Sequence, residues 1–221
     1  MPSPVRSALV DDRLTYGLFL EMTEIPADVY GRERAPELRA HEAVTRVTWW
    51  RNMKRDRTDL PRVLPEFDTL GIAEVEPEFV APDAPAGIST HHFIRTPRPG
   101  QGGLSAKETV GLSLVLISPR EPHQAQALRD WGDFVHIRHI AAVGVPGMTM
   151  ITPYVNASGG DPLFLHFYEM DDPDAERVFK GMTPRVTEQL GGYDVPAWKH
   201  WATCPELRII YVNSFTRVGA M

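Results

Sequence analysis

Cysteine is nearly absent: the 221 residues hold one, Cys204. A lone thiol cannot close an intramolecular disulfide, and it excludes a cysteine-based zinc site. Its setting, WATCPEL, ahead of a proline at the head of an expected strand, reads as a packed thiol rather than a nucleophile. No apolar run approaches the roughly 20 residues a membrane helix needs, so no membrane partner is expected. The opening MPSPVRSALVDDRL lacks the apolar core and small-residue cleavage site of an export signal, which makes a cytoplasmic location the default. No block of Lys and Arg stands out, because RNMKRDR carries an acid and the net charge is −6. That composition offers no basic face for nucleic acid and mainly serves solubility. Signature motifs are missing as well. GQGG at 100–103 lacks the strand-to-helix setting and the Lys-Ser/Thr of a phosphate loop. There is no HExxH, and adjacent His91 and His92 on an extended segment point to opposite faces. No cofactor and no metal is therefore expected.

Proline is plentiful, twenty in all, but it is scattered between periodic segments and marks turns rather than disorder. The length suits one core, or two small subdomains sharing one. Residues 1–13 read as a loose arm. Strands are expected over 14–23, 43–52, 67–76 and 89–97. Between the first two lies a charged, weakly helical stretch at 27–41, broken by Pro36. Residues 98–109 read as a linker. Then VGLSLVLIS (110–118) is a strand apolar enough to be buried on both faces. The longest helical segment covers 121–143, with Pro122 in its first turn and Gly144 closing it. Strands follow at 148–156 and 162–170, around the Gly-rich turn ASGGD. A helix over 172–190 is capped by Asp171 or Asp172 and split by Pro184, and a final strand covers 206–218.

The fold class is thus α+β. The second half, 110–218, has the order β-α-β-β-α-β of a ferredoxin-like unit. The first, 14–97, has the same order with its helices eroded. Short pairings support a duplication: GLFLEMT beside GLSLVLI, EAVTRVTWWRN beside PGMTMITPYVN, and GIAEVE beside HFYEMD. These bring together Thr45 with Thr149, Asn52 with Asn156, and Glu74 with Glu169.

With Trp131, Phe134, His139, the turn Pro146-Gly147, and Tyr168-Glu169 in this order, the second half resembles the dimeric α/β-barrel superfamily, and within it EthD-type domains. The sequence departs from that pattern at Arg138, where Glu is usual, and at Ala35, where the first repeat would carry its histidine. The resemblance implies that two sheets close on each other into a barrel with an internal cavity, here within one chain as a pseudo-symmetric tandem form, with a homodimer also open. It implies a catalytic role for His139, supplied by the second repeat alone.

Several residues are candidates for that cavity. His136 and His139 lie three apart on one helix and could share a face, although a helix C-terminus also suits a solvated imidazole. In FLHFYE, alternation sets Phe164, His166 and Tyr168 against Leu165, Phe167 and Glu169. His166 and Tyr168 are expected inward, in the barrel. Trp50 and Tyr154 occupy matching places and either shape the pocket or fill the core. Arg46 shares the face of Trp50 and could clamp an oxyanion or remain at a solvated edge. On the last strand Tyr211 and Asn213 face the lumen, opposite Ile210 and Val212, and Tyr211 is a candidate oxyanion partner. WKHW (198–201), with His200, is placed over one cavity mouth.

These features point to a cofactor-independent acid/base enzyme of the lyase, dehydratase, cyclase or isomerase type. Its partner is a small hydrophobic organic substrate, aromatic, polyketide-like or terpenoid-like. His139 would move the proton. His166 or Tyr211 would hold a developing oxyanion, with Trp50, Tyr154, Tyr168, Arg46 and Asn213 as binding residues. The alternatives are an oxygenase, cofactor-free or haem-dependent, and a non-catalytic small-molecule-binding accessory protein of a catabolic pathway.

Overall fold

The computed structural model describes residues 15–103, 105 and 107–221. The arm expected over 1–13, the start of the first strand at Leu14, and residues 104 and 106 of the linker lie outside the described residues. The elements run β1 (Gly17–Thr23), α1 (Ala27–Glu33), α2 (Ala35–Arg39), β2 (Val44–Asn52), β3 (Thr69–Val75), β4 (Ile88–Arg95) and the short β5 (Gln101–Gly102). After these come β6 (Gly111–Pro119), α3 (Ala125–Trp131), a π-helical turn (Gly132–His136), α4 (Ile137–Val143), β7 (Met148–Asn156) and β8 (Phe164–Met170). The chain ends through α5 (Ala175–Lys180), α6 (Met182–Leu190), α7 (Pro196–Ala202) and β9 (Leu207–Ala220).

The sheet order is β4-β1-β3-β2-β9-β6-β8-β7, and β4 pairs again with β7 through Phe93–Asn156, Ile94–Val155 and Arg95–Tyr154. Eight antiparallel strands therefore close into a barrel, with β5 adding to the β7 edge beside β4. Closure leaves the barrel strands without a long free edge. Among the described residues no helix is long and apolar enough to cross a membrane.

Side chains alternate between the barrel interior and an outer layer under the helices. The interior is filled, by Leu18, Leu20, Trp50, Phe93, Leu114, Leu165 and neighbours that form one continuous apolar cluster. The expected open lumen is thus corrected: the barrel axis holds a core. The strand that looked buried on both faces, β6, is so. Leu165 and Phe167 point into the barrel, while Tyr168 and Met170 join the cluster under the helices. His166 and Tyr168, expected inward, therefore face outward to the helical layer. A bulge in β9 opposite Leu116–Ile117 also brings Ile210 into the barrel cluster, with Ile209 taking the outward place.

Local chemistry explains the helix boundaries. Pro36 opens α2 rather than breaking it, since its missing N–H falls where a helix has no partner for one. The long helix starts from a reciprocal Glu121–Gln124 cap and ends on Gly144 at φ 60°. Asp174, not Asp171 or Asp172, caps α5 by accepting from Arg177 N. The break between α5 and α6 falls at Gly181, and Pro184 sits in the first turn of α6.

Residues paired by sequence across the halves make matching bonds. Thr45 and Thr149 hydroxyls donate to the carbonyls of Glu74 (3.2 Å) and Glu169 (3.1 Å). Asn52 accepts from Lys54 N and donates to Phe67 O, as Asn156 accepts from Ser158 N and donates to Pro162 O. Thr15 donates to Glu74 and Thr109 to Glu169.

Candidate functional site

The cavity that gathers the histidines lies outside the barrel, between the outer faces of β6, β8 and β9 and the layer made by α3, the π turn, α6 and α7. It encloses about 220 Å³. Its apolar walls include Val115, Ile117, Met182, Val212 and Leu60, the last carried there by the loop after β2. Its polar lining is His136, His166, Tyr168 and Thr183, with no Lys, Arg, Asp or Glu at the surface.

His166 stands on β8 with Asp133 behind it. Its Nε2 lies 3.3 Å from Asp133 Oδ1, and both side chains are almost wholly buried. The contact is close without being an aligned hydrogen bond, since Oδ1 has no hydrogen-bond partner. The other carboxylate oxygen accepts from Arg98 Nη1 at 2.9 Å, and Gln101 donates to the Asp133 carbonyl at 2.6 Å. Arg98 also donates to the Arg129 carbonyl and pairs with Asp130, so the acid is fixed from behind by the segment after β4. Two local features permit this packing. The π turn inserts an extra residue into the helix, a distortion that recurs at functional sites. Gly132 leaves room for the imidazole: a Cβ there would lie 2.8 Å from His166 Cε1.

His136 closes the π turn. Its ring lies between Trp201, stacked at 5.0 Å and 7°, and Trp131 at 4.8 Å and 33°. His136 Nδ1 is 3.1 Å from the Trp201 carbonyl, Trp201 Nε1 donates to the His136 carbonyl at 3.0 Å, and Trp131 Nε1 donates to the His200 carbonyl at 2.8 Å. These bonds tie α7 over the cavity. Burial pushes the His136 imidazole down to about 4, helped by the neighbouring His166 and His139 and opposed by the Trp201 carbonyl. The Tyr168 hydroxyl makes no hydrogen bond among the described residues, and burial, with Asp133 nearby, holds its pKa above the ordinary tyrosine value. It is therefore a donor at neutral pH.

The structure disperses the rest of the set read from sequence. His139 is half-buried on α4 and does not line the cavity. Trp50, Tyr154 and Tyr211 are buried in the barrel interior. The Tyr211 hydroxyl donates to Glu66 at 2.5 Å and accepts from Asn213 at 3.3 Å; burial raises its pKa to about 12. Asn213 is bound also to Asn52 and the Lys54 carbonyl. This network seals one barrel end from within, on the opposite face of the sheet from His166. Arg46 sits at the rim of the other end, 3.7 Å from Glu74. The WKHW segment lies over this outer cavity, through Trp201, and not over a barrel mouth; His200 is exposed and gives only its carbonyl. Sequence reasoning passed over Asp133 and treated Trp201 only as part of a covering segment. The acid stands within an unbroken helical pattern, and nothing in the composition marks the π turn that aims it.

A larger hollow, about 410 Å³, lies at the sealed barrel end beside Glu24 and Glu66. It holds no histidine, and both acids are engaged, Glu24 by Arg55 and Glu66 by Tyr211, Asn52 and Arg62. Among the described residues no three His, Cys, Asp or Glu side chains are grouped to hold a metal ion. A haem does not fit the histidine cavity. At about 220 Å³ it falls below the roughly 300 Å³ at which pockets for drug-sized ligands begin.

No known family profile and no curated protein matches the sequence. Solved structures do match. An anthrone oxidase-like protein is 14% identical with a TM-score of 0.56, over 99% of this chain and 96% of that one. A candidate monooxygenase from Lactobacillus acidophilus NCFM is 11% identical with a TM-score of 0.51, over 93% and 94%. A chlorite dismutase variant from Candidatus Nitrospira defluvii is 11% identical with a TM-score of 0.52, over 92% and 91%. These are proteins of the dimeric α/β-barrel superfamily, and this chain shares their fold.

Proposed function

We infer that the histidine cavity carries out cofactor-independent acid/base chemistry on a small aromatic molecule. One observation carries this reading: His166 enters an apolar cavity backed by the buried carboxylate of Asp133, 3.3 Å away. With Nε2–H turned to the acid, Nδ1 is the basic nitrogen, and no hydrogen bond occupies it among the described residues. A C–H proton passing to Nδ1 leaves an imidazolium beside a buried carboxylate, which stabilises it. Tyr168 is placed to donate to the oxygen on which the substrate's charge collects. His166 is the catalytic residue and Asp133 the positioning residue.

Two outcomes follow such a deprotonation. Reprotonation or loss of a group gives an isomerase, cyclase or lyase. Capture by molecular oxygen converts an activated CH₂ and O₂ into C=O and H₂O. The fold shared with an anthrone oxidase-like protein and a candidate monooxygenase supports the oxygen-consuming form. We also read the two halves as divergent copies of one EthD-type unit, on the strength of the matching threonine and asparagine bonds. Under that alignment Glu21 stands at the place of Val115 and Gly71 at the place of His166. A Cβ at Gly71 would collide with the Tyr30 hydroxyl, which donates to Glu21 at 2.9 Å while Arg34 closes on the same acid. The first half thus fills the space that the second leaves open.

The test supplies hydroxylated bicyclic arenes with an activated CH₂ to the purified chain, following oxygen uptake and exchange of the acidic C–H with deuterated water. Both signals in the wild type, lost by 10²-fold or more in His166→Ala, support the oxygenase form. Exchange without uptake selects the isomerase or lyase form. Full activity in His166→Ala overturns the assignment.

A further inference from the structure

We propose that His136 is a fixed hydrogen-bond acceptor for the hydroxyl group of a neutral ring, a phenol or naphthol, bound in the cavity. The inference rests on the reading above for the place of the site, but not on any turnover there. A carbonyl oxygen can only accept, so the 3.1 Å contact with Trp201 O obliges Nδ1 to carry the proton. In a neutral imidazole the lone pair is then on Nε2. The ring cannot swing away, because Trp131 and Trp201 cover its two faces and Trp201 Nε1 is bound to the same residue's carbonyl. No hydrogen bond occupies Nε2 among the described residues, and His136 lines the cavity.

The remaining lining sets the ligand class. With no Lys or Arg at the surface, a carboxylate or phosphate entering the cavity loses its water without gaining a counter-charge. A purely apolar ring leaves the Nε2 lone pair unmet. A neutral hydroxyl satisfies it, and the facing indoles and aliphatic walls suit a flat ring of one or two cycles in about 220 Å³. Burial keeps the imidazole neutral down to about pH 4, so the acceptor persists wherever an enzyme ordinarily works. The titratable groups facing it are His166, His139, Tyr168 and, behind His166, Asp133.

Binding of 1-naphthol, 1-methoxynaphthalene and 1-naphthoate to the full chain is measured by titration calorimetry under anaerobic conditions. Wild type is expected to bind naphthol about tenfold more tightly than its methyl ether and to reject naphthoate. His136→Phe keeps the stack and removes the acceptor. It should abolish the tenfold preference while leaving the ether's affinity within about twofold. Imidazole nitrogen NMR of wild type, which needs no substitution, should show His136 protonated at Nδ1 and its Nε2 resonance moving on addition of naphthol. A preference that survives in His136→Phe, equal binding of naphthol and ether, no binding of any of the three, or a proton on Nε2 each overturns the proposal. In His166→Ala the naphthol preference should persist. Loss of turnover with that preference intact upholds both readings. A preference found without turnover in wild type sinks only the catalytic one.

Discussion

The imidazole of His136 is the residue on which pH acts most directly. Its folded-state pKa, about 4, lies below the ordinary 6.5 of an unfolded chain. Between those values the unfolded chain binds a proton that the folded one refuses, so stability rises with pH across that window and falls as pH drops from 6.5 toward 4. His91 and His92 are also lowered by burial and push the same way. Urea midpoints taken between pH 7 and 4.5 should therefore slope downward, and His136→Phe should flatten part of the slope. Tyr30 offers a second residue-scale check. Its buried hydroxyl donates to the Glu21 carboxylate, so Tyr30→Phe should lower unfolding free energy by about 2 kcal/mol in urea melts, the range for hydrogen bonds to charged groups. Legibility at this scale depended on contrast. Tyr211 and Asn213 were readable as inward because Val212 beside them is aliphatic. FLHFYE was not: all of β8 is buried, on both faces, and its two sets of side chains are equally mixed.

At the scale of elements, the π turn inserts a residue ahead of His136 and carries Asp133 beside His166. The turn ends at His136, so His136 and His139 keep the spacing of α4, yet only His136 lines the cavity. Sequence periodicity assumes a constant rise and cannot report such an insertion. Gly132 is the vulnerable point of the turn. Gly132→Ala should gain some helix propensity, about 0.5–1 kcal/mol, yet drive its methyl into the His166 ring. Turnover should therefore drop at least tenfold while the melting temperature moves by only a few degrees, measured on one preparation. The α7 cover is held by side-chain to backbone bonds from both indoles. Trp131→Phe removes one of them and should speed ligand dissociation in stopped-flow fluorescence.

Over the whole molecule, the strands were legible because eight alternating or continuously apolar runs lay between turn signals, while closure into a barrel came only from the resemblance to the dimeric α/β-barrel superfamily. What the barrel would contain was not. Whether inward residues fill the axis or leave a hollow depends on how volumes from distant strands add up, and Trp50, Tyr154, Phe67 and Tyr211 together fill it. Each half leaves its inner face bare without the other. Residues 108–221 alone should therefore not stay monomeric, and size-exclusion chromatography should show a dimer or aggregate. The loop after β2 binds the halves further: buried Arg57 pairs with Glu176 on α5 and Asn213 on β9, and Leu60 then reaches the cavity.

The pairing of β9 has a consequence in time. This 14-residue strand joins β2 of the first half to β6 of the second, and Val47 exchanges two backbone hydrogen bonds with Met221. It is also synthesised after every other strand. Until it emerges from the ribosome, β2 and β6 each present an unsatisfied edge, and the apolar face between them stays wet. The nascent chain must therefore carry the open β2 edge from early in synthesis, and the β6 edge as well from residue 119, until β9 begins at Leu207. Crowding and chaperone supply during that interval should govern yield more strongly than the stability of the finished barrel.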